Sequence, residues 1–148
     1  MIRSAIATWS GGPAAGEGYV TTSSGVITNA LYSFGSSTGN EPCTSPTEML
    51  AAAVASCMSL MVTREMAKVG LHEKSVTTEA VLTLAEKKEH WEITDLHVTV
   101  ATSIPESEVE KFEHAARTAK GRCPISHALK VPIRMTTKVE PAMHPAAA

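Results

Sequence analysis

The chain has 148 residues, with 43% hydrophobic and 19% charged side chains, and 13 Lys plus Arg stand against 15 Asp plus Glu for a formal charge of −2. That size suits one domain with its own core, and the composition excludes a disordered chain or a coiled coil. The basic residues are scattered, so neither nucleic acid nor an anionic membrane is expected as a partner.

Met1–Trp9 reads as a strand, and it lacks the apolar run of a secretory signal. Ser10-Gly11-Gly12-Pro13 then marks a turn. Tyr19–Thr22 and Val26–Ala30 flank Ser23-Ser24-Gly25 and predict a hairpin with Gly25 at positive φ. Next, Ser45-Pro46-Thr47-Glu48 opens a helix by two signals, a Ser/Glu capping box and proline at the first helical position, and Gly70 closes it. Met49, Leu50, Ala53, Val54, Cys57, Met58, Leu60 and Met61 occupy most of its circumference, which predicts a central helix buried on nearly all sides. Its apolar stretch, Met49–Val62, is too short to span a bilayer.

Val76–Leu84 and Trp91–Ala101 alternate with period two around a charged turn, Glu86–Glu89, and predict a second hairpin. A helix starts at Pro105, with Val109, Phe112, Ala116 and Ala119 at helical spacing, and stops at Gly121. Cys123-Pro124 looks like a fresh helix start. The last strand is Lys130–Val139, and the tail Pro141–Ala148 is expected to be disordered. Hairpins, buried helix, hairpin, helix and strand in that order make an α+β protein with antiparallel sheets.

Cysteine is the informative residue type. Three thiols, Cys43, Cys57 and Cys123, do not make a secreted disulfide scaffold, so a cytoplasmic location with reduced thiols is expected. Cys57, mid-helix in an apolar zone, has the ordinary reading of core filler. Cys123 has a better case for reactivity, because helix N–H groups and the adjacent Arg122 favour a thiolate; the alternative is a small residue filling a turn. Residue spacing does not fix whether the two meet. Six histidines show no metal-ligand spacing, and no nucleotide motif occurs, so no metal or cofactor is expected.

Asn40-Glu41-Pro42-Cys43-Thr44-Ser45-Pro46-Thr47-Glu48 through Ala55-Ser56-Cys57-Met58-Ser59 resembles the first cysteine motif of the OsmC/Ohr family, the osmotically induced and organic hydroperoxide resistance proteins. Ala119-Lys120-Gly121-Arg122-Cys123-Pro124-Ile125-Ser126-His127-Ala128-Leu129 resembles its second motif. Gly16–Val26 resembles the amino-terminal hairpin of the OsmC type. The resemblance implies one OsmC-like domain over residues 1–140, an intertwined homodimer with sites at the subunit interface, and a two-cysteine peroxidase cycle. Carried over, Cys57 is the peroxidatic thiolate and Cys123 the resolving thiol, with an organic hydroperoxide as substrate and a dithiol or lipoyl-bearing protein as reductant. Cys43 lies outside that pair; a loop residue is its ordinary reading and a redox partner the lesser one.

Two positions depart from the family. Thr47 stands where a glutamate is usual, and Ser37 where the OsmC-type arginine is usual. Glu48, one residue further along, is a substitute carboxylate whose first role is the capping box, while Arg122 or Arg3 could supply the positive charge. Two other readings therefore stand beside the peroxidase: a weak or inactive relative that binds an apolar ligand at the dimer interface, and a thiol redox sensor.

Overall fold

A computed structural model describes residues 1–12, 15–33, 43–72, 75–88 and 90–140. The chain divides into two compact units, Met1–Leu50 and Ala51–Ala148.

In the first unit, strands β1 (Ala5–Ser10), β2 (Glu17–Thr22) and β3 (Ala30–Tyr32) form an antiparallel sheet in that order. A Cβ at Gly16, just before β2, or at Gly18, within β2, would collide with Trp9, so neither position tolerates a side chain. Gly25 does take positive φ, +73°. The expected second strand of this hairpin starts later than Val26, because residues 26–29 form a loop instead of pairing. Thr22 Oγ1 accepts from the Ile27 N–H, Thr28 Oγ1 donates to the Gly25 carbonyl, and Thr21 Oγ1 accepts from the Asn29 N–H. Val26 is 87% exposed, so nothing drives it onto a sheet face.

Helix α1 runs Pro46–Lys68. Ser45 Oγ accepts the Glu48 N–H at 3.1 Å, half of the expected capping box. The reciprocal half is replaced: Glu48 Oε2 accepts from Thr44 Oγ1 at 2.8 Å. At the other end Gly70, at φ +84°, donates to Ala67 O, and the Leu71 N–H donates to Met66 O. These two bonds are a Schellman closure, which satisfies carbonyls the helix would leave unpaired.

The second unit holds a sheet of β4 (Val76–Lys87), β5 (His90–Thr102) and β6 (Ile133–Val139). β4 and β5 pair antiparallel, and β5 and β6 pair parallel. The parallel pairing follows from connectivity: β5 leads through a 3₁₀ turn, α2 (Val109–Lys120) and the short α3 (Pro124–Ala128) before β6, a crossover long enough to re-enter the sheet in the same direction. β6 begins after Pro132, later than the expected Lys130, since proline has no N–H for the ladder.

Val54, Met58, Val62 and Met66, four residues apart along α1, are at most 1% exposed. They join Leu96, Val98 and Val100 of β5 and Phe112 and Ala116 of α2 in one cluster. Each such large apolar side chain contributes roughly 1.5–3 kcal/mol when fully buried. The helix is thus buried along one stripe in the single chain rather than on nearly all sides, and Leu60 is 73% exposed. By length and composition α1 is apolar enough to cross a membrane, but its core stripe gives that composition a use inside the protein.

Candidate active site

Cys57 lies one residue before Met58, so it sits at the border of the buried stripe and remains partly exposed. Cys123 caps the N-terminus of α3, with extended backbone (φ −72°, ψ 113°) and Pro124 at the first helical position, as its sequence suggests. It is fully buried in the same cluster that holds Met58 and Phe112. The fold brings the two sulfurs, 66 residues apart in sequence, to 3.2 Å, and both are free thiols. At that separation they share a proton: whichever ionises first accepts the S–H of the other.

Accessibility and acidity fall on different sulfurs. Burial pushes the Cys57 thiol above its ordinary 9.0, and the neighbouring Cys123 sulfur adds to the rise, while the Ile125 N–H pulls the other way. Burial also pushes Cys123 up, but hydrogen bonding from the Ser126 hydroxyl and N–H, joined by Cys57 and the Ile125 N–H, outweighs it and brings Cys123 below 9.0. Among the described residues Ser126 Oγ is buried and has no other polar partner, so the Cys123 sulfur is the group its hydroxyl can serve.

The groups considered for thiolate activation are placed as follows. Arg122 does not offer a free positive charge: its Nη1 donates to Glu65 Oε1 and Oε2 at 3.0 and 3.2 Å. Arg3 donates to the Ile2 carbonyl in the exposed amino-terminal segment. Glu48 is held at the start of α1 by Thr44, and Thr47 Oγ1 lies 3.1 Å from Ser45 Oγ. Cys43 Sγ lies 3.4 Å from Ser33 Oγ in the first unit, apart from the paired thiols in sequence. Ser37 and the tail 141–148 lie outside the described residues.

Glu65 is the residue that sequence reading missed. It is 5% exposed, flanked on α1 by buried Val62 and Met66, and it also accepts from Lys68 Nζ at 2.6 Å. Lys68 first, then Arg122, hold its carboxyl below the ordinary value despite the opposing effect of burial. The signal was a glutamate at the helical spacing of an apolar stripe, with a lysine three residues on.

A long helix packed on a three-stranded sheet, with a mid-helix thiol facing a second thiol at the start of a short helix, defines an α+β protein with a paired-cysteine centre. The family model for OsmC-like proteins matches residues 38–138, and the chain belongs to that family. Peroxiredoxin OsmC of Escherichia coli is 30% identical over 127 residues, 86% of this chain and 89% of that protein. Among solved structures, an OsmC-like protein of unknown function from Vibrio cholerae has a TM-score of 0.72 at 18% identity, covering 93% of this chain and 99% of that one. The organic hydroperoxide resistance protein OhrB of Bacillus subtilis has a TM-score of 0.67 at 20% identity, covering 93% and 98%.

Proposed function

We propose that the protein is a thiol peroxidase that reduces organic hydroperoxides to alcohols through Cys57 and Cys123. The observation that carries this reading is the 3.2 Å approach of the two sulfurs, one partly exposed and one buried. Membership in the OsmC-like family and the relative named a peroxiredoxin support the reaction class.

The cycle balances as follows. Cys123, the more acidic thiol, first loses its proton to solvent; the Cys57 proton then passes to the Cys123 thiolate, and the Cys57 thiolate attacks the terminal oxygen of ROOH. The S–O bond forms, the O–O bond breaks, and RO⁻ takes the proton from Cys123 to leave as ROH. The Cys123 thiolate then attacks the Cys57 sulfenic acid; the S–S bond forms and hydroxide leaves. A dithiol, free or carried on a lipoyl-bearing protein, reduces the disulfide and is itself oxidised. Capture by Cys123 protects Cys57 from irreversible overoxidation. Glu48, nine residues before Cys57, is the carboxylate proposed to support the thiolate, so Glu48→Gln should lower turnover.

We further propose a cytoplasmic homodimer of single OsmC-like domains. Exposed Ile6, Leu60 and Val81 are the kind of apolar surface a second copy would cover.

The test is consumption of cumene hydroperoxide with dihydrolipoamide as reductant. Wild type should turn over, and Cys57→Ser should not. The raised pKa of Cys57 favours one competing reading, an apolar-ligand binder without turnover, and equal background rates in both proteins would overturn the peroxidase in its favour.

A further inference from the structure

The turn that carries Cys123 is held by two kinds of contact. Most are local: Gly121 N–H donates to Arg117 O, Arg122 N–H to Ala119 O, His127 N–H to Cys123 O, and His127 Nε2 to Gly121 O. These fix the turn's shape but do not attach it to α1, where Cys57 lies. Beyond apolar packing of Cys123 and Ile125 in the core cluster, the polar attachments to α1 are the Cys123 sulfur at Cys57 Sγ and the Arg122–Glu65 ion pair. Among the described residues that pair is the ion pair joining the turn to α1.

The sulfur contact changes at the moment it matters. When Cys57 takes up oxygen, its sulfur is no longer the thiolate that accepts the Cys123 S–H. The ion pair is untouched by that chemistry. Glu65 is eight residues past Cys57 on the same helix, and Arg122 directly precedes Cys123. Its carboxylate is buried and doubly paired, hence fixed in place, whereas the Arg122 side chain is 56% exposed and can be changed without opening the core.

We propose that Glu65 and Arg122 are positioning residues for the second step: their ion pair holds Cys123 against Cys57 while Cys57 is oxidised. The proposal deepens the peroxidase reading and rests on it for the peroxide step. It also makes a claim about disulfide closure that any two-electron thiol oxidant can examine.

The experiment follows both steps in a Cys43→Ser background. After one equivalent of cumene hydroperoxide, sulfenic acid is trapped with dimedone and disulfide is measured by intact mass. Arg122→Ala and Glu65→Gln should form sulfenic acid at the wild-type rate but close the disulfide at least about threefold more slowly, the scale of a partly exposed ion pair. Dimedone adduct and sulfinic acid should rise accordingly. Arg122→Lys should recover most of the closing rate, and Arg134→Ala, which breaks the separate Asp95 pair, should match wild type.

Diamide supplies the second arm: one thiol adds to its N=N bond, the other displaces the adduct to give the disulfide, and diamide is reduced to the hydrazine. Slow closure in Arg122→Ala with diamide, in a protein inert to peroxide, would sink the peroxidase reading and leave the clamp standing. Wild-type closure in Arg122→Ala with both oxidants would overturn the clamp. Equal slowing of sulfenic acid and disulfide formation would also overturn it, because it would assign Arg122 to thiolate activation.

Discussion

Cys57 and Cys123 lie with their sulfurs 3.2 Å apart, yet the accessible sulfur is the one pushed towards the thiol and the buried sulfur the one drawn towards the thiolate. In the proposed cycle Cys57 must lose its proton before it attacks peroxide, and the Cys123 thiolate is the acceptor at hand. No guanidinium among the described residues is unpaired beside the pair to make this unnecessary, since Arg122 is engaged by Glu65.

Reactivity should therefore climb with pH. In iodoacetamide labelling read by peptide mass spectrometry from about pH 6 to about pH 10, Cys57 modification should still be accelerating as it passes the ordinary thiol range. A plateau already reached at neutral pH would mean that an activating cation has been overlooked.

Glu65 gives a second pH dependence, of known sign. Its folded-state pKa is depressed, so its contribution to stability is fully present above the ordinary glutamate value of 4.5 and is lost as pH falls through the lower folded value. Urea unfolding of wild type should weaken on acidification through that window, and Glu65→Gln should lack this part of the loss. Parallel curves for the two proteins would show that the carboxylate carries no such linkage.

Core and surface positions on α1 should separate cleanly. Met58 is fully buried, and Met58→Ala should cost about 2–5 kcal/mol in denaturant unfolding. Leu60 is exposed in the single chain; if the homodimer forms, Leu60→Glu should shift light scattering from twice the 15.6 kDa chain mass towards that mass itself. A wild-type monomer at micromolar concentration would remove the dimer.

Most of the fold could be read from local physics. Ser45, Pro46 and Gly70 bracket α1 because caps act within one turn, and Leu96, Val98 and Val100 announce β5 because a one-sided strand must alternate. The parallel partner of β5 was not legible, since β6 carries the same alternation in either direction and only the crossover decides. The width of the buried face of α1 was overestimated because an apolar side chain does not declare whether its own chain covers it. At the site, the cysteines stood out by type, and resemblance paired them. The approach of Arg122 to Glu65 spans 57 residues and leaves no local pattern; only the misplaced charge on an apolar stripe hinted at it.

The most direct measurement is a free-thiol count with intact mass on reduced protein, before and after one equivalent of cumene hydroperoxide, in wild type, Cys57→Ser and Cys123→Ser. Wild type should lose two thiols and two mass units, and sulfenic acid should be trapped only where Cys57 remains. Survival of all three thiols through minutes of exposure would contradict the two-cysteine peroxidase and make ligand binding the working account.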